Sequence, residues 1–291
     1  MITFEPDMPF LIVVLAYLLS RYTHASQWLH HDKLYDRLLD KLAAGNPGTP
    51  LAFVISVTGT SLFTAWLFWH LPFWLHFFLA IAVLLSSTGS SNWRGYTANA
   101  LSRIQQGNAE SIWLSLEAKG LLEPDAGAHA LWLALRKQAA YLYLTEWFAI
   151  FFWFTLFGPT GALFFRLLTL YNQHPRIRDG LLPSFAQWQV VMEWLPARYM
   201  GLCFCLSGNF ATCFHVWRQL AIDTHTSNPN FLARCLDAAL IVDDANAQVS
   251  HIGTGTIHPD TFRLGQALQD LLAHTEIIGL VGLALTVLVL H

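Results

Sequence analysis

The stretch YLYLTEWFAIFFWFTLFGPTGALFFRLLTLY, residues 141–171, carries only two charged side chains, Glu146 and Arg166. Nothing else in the chain constrains the fold as strongly. A helix needs about 20 mainly apolar residues to cross a bilayer. Two such runs meet here at Gly158 and Pro159, and a Gly-Pro pair breaks a helix. The spacing therefore predicts a helical hairpin within a membrane.

The rest of the chain follows the same pattern. Spans are expected at about 8–20, 51–70, 72–87, 141–158, 160–174 and 275–291, with a first hairpin turning at His70, Leu71 and Pro72. The run 8–20 is short for a full crossing. Charged residues make up 12% of the 291 residues, about half the share of a soluble domain. The expected fold class is therefore all-α, a polytopic helical membrane protein of about six spans with cytoplasmic amphipathic helices. No linker, repeat or low-complexity tract divides it, so 1–291 reads as one integral membrane domain.

Orientation follows from the basic residues. Every Lys and Arg except Arg166 lies in one of three segments, 21–50, 88–140 and 175–273. Cytoplasmic loops are rich in these residues, so the three segments are expected inside and both termini outside. In 28–42, Trp28, Tyr35, Leu38, Leu39 and Leu42 share one helical face. ESIWLSLEAKGLL and HALWLALRKQAAYL are amphipathic too, separated by the breaker EPDAG. The stretch 183–210 is helical in period, interrupted by Pro196, and is expected to lie along the inner leaflet or to dip into it, re-entrant or interfacial at 199–216.

The charge balance of -3 and the lack of a basic run give no footprint for nucleic acid. The acidic start MITFEPDMPF lacks the positive region of a cleaved signal peptide, so the first apolar run is expected to stay. Cys203, Cys205, Cys213 and Cys235 form no CxxC pair and read as reduced, packed thiols. No phosphate loop, HExxH zinc motif or G-x-S-x-G elbow occurs, and HIGTGTIHPD has no strand-helix context. No metal is expected, and His30-His31 point to different helix faces.

Chemistry is concentrated in three places. Two roles fit Arg166: pinning the hairpin to Glu146, or holding an anion in a polar cavity open to the cytoplasm; snorkelling is a third. With ~1.5 Å of rise per residue, Arg166 is expected near mid-membrane and Glu146 roughly 5–10 Å nearer the cytoplasm. In EWLPARYMG, Glu193 and Arg198 flank Pro196, which suits the first turn of a helix. In SNPNFLARCLDAAL, Asn228 and Asn230 flank Pro229 ahead of a helix carrying Asp237, an ordinary turn and cap.

These stretches also carry a resemblance. GPTGALFFRLL resembles the Gly-Gly-x-x-Gly-Ala-x-x-Tyr-Arg segment of the CobD/CbiB family of cobalamin-biosynthesis membrane proteins. EWLPARYMGLCFCLSG is similar to that family's Asp-Trp-(Ile/Val)-Pro-Ala-Arg-Leu stretch, and NPNFLARCLDAAL to its Ser-Pro-Asn segment. Within the family, the short size and the FFWF…G…LPAR layout resemble the AmpE branch, inner-membrane proteins associated with β-lactamase induction.

The departures matter as much. The family's Glu-Asn-Thr-x-Asp-Gly run is replaced by YLYLTEWFAIFFW, and Asn172 stands where an aspartate follows the family's arginine. An ATP-dependent amide synthase needs such carboxylates to hold metal and phosphates. The resemblance therefore implies a multi-pass inner-membrane protein that regulates or senses β-lactam or cell-wall stress. It would bind an anionic ligand or partner at its cytoplasmic face. The implied ligand-binding set is Arg166, Arg198, Asn228, Asn230, Asp237, Glu146 and Glu193. No resident cofactor is implied, with a nucleotide the one candidate. The implied partners are the lipid bilayer and either a second copy or another membrane protein. The alternatives are an active adenosylcobinamide-phosphate synthase and a membrane scaffold subunit.

Overall fold

The computed structural model describes residues 7–22, 40, 54–70, 72–88, 93–106, 108–118, 120–123, 128–174, 183–240 and 259–290. The amphipathic face expected at 28–42, the His30-His31 pair and most of HIGTGTIHPD lie outside these residues. Among the described residues every regular element is helical and none is a strand, as the all-α expectation requires.

In chain order the helices are α1 (Asp7–Tyr22), α2 (Thr60–His70), α3 (Phe73–Ser87), α4 (Trp93–Gln105), α5 (Ala109–Glu117) and α6 (Ala128–Tyr143). They continue as α7 (Ala149–Gln173), α8 (Pro183–Ser207), α9 (Phe210–Leu220), α10 (Asn228–Leu240) and α11 (Pro259–Leu290). Two π-helical turns interrupt them, Val54–Gly59 before α2 and Leu144–Phe148 before α7. Among the described residues two helical runs are long and apolar enough to cross a membrane, Ala130–Gln173 and Gly265–Thr286; the apolar helices Val57–Phe68 and Leu75–Ser87 are shorter.

The chain divides into two compact units where the sequence shows no linker. The first comprises Met1–Ser90, Thr145–Pro196 and Leu280–His291; the second comprises Ser91–Leu144 and Ala197–Gly279.

In the first unit, α7 packs on α2, α3 and the Val54–Gly59 turn, and α1 packs on α3 and α7. Pro72 holds an extended backbone between α2 and α3, and its carbonyl accepts the His76 N–H at 3.1 Å. Residues Val57, Leu167, Leu168 and Tyr171 form a buried cluster with Leu163, Phe164 and Met192 against it.

The run Ala130–Gln173 does not stay straight. Gly158 has φ 66° and ψ −157°, a conformation essentially confined to glycine, and Pro159 follows it. A Cβ placed on Gly161 would lie 2.6 Å from the Trp153 carbonyl oxygen. Eight residues of straight helix separate such atoms by about 12 Å of rise. The chain therefore folds back at Gly158, where the sequence places the hairpin turn. Gly161→Ala is expected to cost about 2 kcal/mol, because backbone rather than a flexible side chain must move; a thermal melt of the variant measures it.

The second unit is built on α10, which packs against α6 and α9. Its buried residues Phe231, Leu232, Cys235, Leu236 and Ala239 fall on one helical face. Helix α5 buries Ile112 and Leu116 beside Trp132 and Leu135 of α6, the expected amphipathic arrangement. The Asn209 side chain caps α9 by accepting the Thr212 N–H at 3.3 Å.

One local expectation changes. Pro196 is interior to α8, not in its first turn; the helix opens at Pro183. Burial of Ala197 and Met200 and the three hydrogen bonds of Arg198 offset the ~3 kcal/mol that an interior proline costs.

Candidate functional site

The seven residues expected at a ligand site divide between the units: Glu146, Arg166 and Glu193 in the first, Arg198, Asn228, Asn230 and Asp237 in the second.

In the first unit, Arg166 sits on the returning arm of α7 with only 6% of its surface exposed, and Glu193 on α8 is 2% exposed. Glu146 is half-buried within the π-helical turn Leu144–Phe148. Such single π turns inside α-helices recur at functional sites because the extra residue re-aims a side chain. All three ionisable groups are engaged by neighbours.

A directional polar chain ends on Glu193. Asn172 Nδ2 donates to Gln189 Oε1 at 2.7 Å, and Gln189 Nε2 donates to Glu193 Oε1 at 2.7 Å. Two carboxamides thus line up donor to acceptor toward one buried carboxylate. The sequence reading missed Gln189, although its offset of four residues from Glu193 was the available signal. Trp153 closes the far side of α8 by donating Nε1–H to the Met192 carbonyl at 3.2 Å.

In the second unit Arg198 is fully committed. Its Nη1 donates to Asn228 Oδ1 at 2.6 Å, Nη2 to the Asp223 carbonyl at 2.9 Å and Nε to the Ala221 carbonyl at 3.2 Å. The guanidinium lies 4.5 Å from the centre of the Phe231 ring. Arg198 and Asn228 are therefore brought together, as a brace between α8 and the start of α10. The turn it clasps is ordered further by Asp223, whose carboxylate accepts the Thr226 hydroxyl and the His225 N–H; these bonds hold its pKa below the usual aspartate value. Asn230, two residues on in the same first turn of α10, is exposed.

Asp237 belongs to a separate pair. Its Oδ1 lies 2.7 Å from Nη1 of Arg136, an ion pair by distance whose angle misses hydrogen-bond geometry. Arg136 is 1% exposed and sits 5.8 Å from the Trp132 ring. The amphipathic pattern of α6 gave no hint of this, since an Arg-Lys pair on such a helix reads as a solvated face.

The four cysteines are free and buried, with Cys205 Sγ 3.0 Å from Cys213 Sγ. Burial, with Cys205 beside it, pushes the Cys203 thiol up to about 12. Only thiolates react readily with alkylating reagents. Because all four are buried, the cysteines of the folded protein are expected to resist N-ethylmaleimide at pH 7 and to label fully after denaturation, which intact-mass measurement reads.

Among the described residues no three His, Cys, Asp or Glu side chains converge as metal ligands would. The fold and the polar chain define a class: an all-helical protein, with two helices long and apolar enough to cross a membrane, carrying buried ionisable groups on its helices. No family model, curated protein or solved structure matches the chain.

Proposed function

We propose that the chain is a multi-pass inner-membrane protein of about six spans that binds an anionic ligand through Arg166, in the regulatory manner of the AmpE branch rather than as an enzyme. The lipid setting is supported by the outer surface. Leu62, Phe63, Trp66, Leu75, Phe78 and Phe157 are each more than half exposed. So are Ile277, Val281 and Leu285, spaced by four along α11. A soluble monomer rarely leaves that much apolar area to water.

The observation that carries the binding role is Arg166 itself, 6% exposed on an apolar helical arm in the same unit as Glu193 and the Asn172–Gln189 chain. A charge at such a position is costly, and in membrane helices charges mark ligand or ion pathways. A guanidinium offers a planar fork for a carboxylate or phosphate. The polar chain supplies the hydrogen-bonding interior that such a ligand would need.

Thermal melts of the purified protein against ATP and a muramyl tripeptide test this. Native protein is expected to be stabilised by at least one of them, and Arg166→Ala to lose that shift. Equal shifts in both proteins remove Arg166 from the site. The scaffold reading draws on the exposed stripe of α11, and detergent-phase cross-linking of a single cysteine at Val281 into a dimer would favour it.

A further inference from the structure

A half-open cavity lies within the first unit, at the fold-back of α7. It measures ≈ 370 Å³ and is lined by α1, α2, α3 and residues 154–160 of α7. That volume falls in the range of small-molecule sites. Its walls are apolar at Ile12, Phe68, Ala80 and Phe154. Its polar lining side chains are those of His76, Thr155 and Thr160. The Thr155 hydroxyl donates to the Phe151 carbonyl at 2.9 Å, so the oxygen faces other partners as an acceptor. Pro159 has no N–H, so the Thr155 carbonyl lacks the helical donor four residues on.

Among the described residues no Asp, Glu, Lys or Arg lines the cavity; its one titratable lining residue is His76, whose ring packs edge-on against Phe68 at 4.7 Å. A charged occupant would find no fixed counter-charge there, at high cost. A neutral occupant with an apolar body and one donor group fits: the body fills the walls and the donor meets the Thr155 oxygens.

We infer that this cavity binds an uncharged amphiphile bearing a hydroxyl group, the chemistry of a long-chain alcohol or of a diacylglycerol headgroup. The site is distinct from Arg166 and does not depend on anion binding there. The fold-back explains why it exists at all: reversing α7 at Gly158 leaves the ends of two helical arms beside the hollow rather than sealing it.

Photolabelling tests the inference on the full-length protein in lipid nanodiscs, using a decanol analogue with a diazirine in its chain. Label is expected on residues 154–157 or on Ala80. Excess decanol or dioleoylglycerol removes it, the former pointing to a free alcohol and the latter to a bilayer lipid. Decyl sulfate and decylammonium leave it in place. Ala80→Leu, which fills the hollow, abolishes it. Thr155→Val keeps shape and fold while removing one acceptor, and weakens competition by decanol roughly fivefold, the worth of one neutral hydrogen bond. Label spread evenly over Leu62, Phe78 and the other outward residues, and unchanged in both variants, would mean simple partition into lipid and would overturn the site. Equal competition by the charged amphiphiles would overturn its neutral character.

Discussion

Replacing Arg198 by alanine is expected to lower the free energy of unfolding by about 4 kcal/mol, the largest effect of any single substitution proposed. One guanidinium spans the Asn228 side chain and the carbonyls of Ala221 and Asp223, and it stacks on Phe231. Hydrogen bonds to a charged group contribute about 1.5–3 kcal/mol each, and the three are not additive because they share one side chain. Truncation also strands buried acceptors. Arg198→Lys keeps the charge but presents a point rather than a fork. It is expected to recover less than half of the loss. Denaturant titration followed by far-UV circular dichroism in detergent distinguishes the two variants. If lysine substituted freely, the turn at residues 221–228 would not depend on planar recognition.

The second large effect concerns Asp237. Its removal leaves Arg136, 1% exposed, without its counter-charge at 2.7 Å. Breaking a buried pair from one side typically costs 3–5 kcal/mol, whereas replacing both members by apolar residues is often neutral. Asp237 is 33% exposed, so solvent softens the loss. Asp237→Ala is accordingly expected to cost about 3 kcal/mol. Arg136→Met combined with Asp237→Leu should regain most of it. The double-mutant cycle is the decisive readout: additive losses would show that the two residues act independently.

Both substitutions bear on residues that the resemblance assigns to ligand binding. In the structure Arg198, Asn228 and Asp237 have internal work: Arg198 and Asn228 clasp a turn, and Asp237 balances Arg136. Such roles are invisible in sequence, because a Pro-Ala-Arg stretch reads the same whether its arginine meets a ligand or backbone carbonyls 23 and 25 residues away.

What was legible has local causes. The hairpin at Gly158 and Pro159 was readable because both residues forbid a continuous helix. Helix α5 was readable from its apolar period, and the start of α10 from Asn-Pro-Asn. The rest depends on tertiary packing. Pro196 stays helical because its neighbours are buried, against its own propensity. No spacing in LTEWF announces the π-helical turn that carries Glu146. The partition into two units follows from contacts between segments far apart in sequence, which hydropathy cannot report.

The central claim is that the Arg166 guanidinium meets an oxyanion in a polar interior. Side-chain nitrogen NMR of ¹⁵N-arginine-labelled protein tests it most directly, with the Arg166 signal identified by its loss in Arg166→Lys. On titration with the anion that stabilises the protein, the Arg166 resonance is expected to shift saturably while that of Arg198 stays fixed. An Arg166 signal that never moves while that anion still raises the melting temperature would contradict the claim.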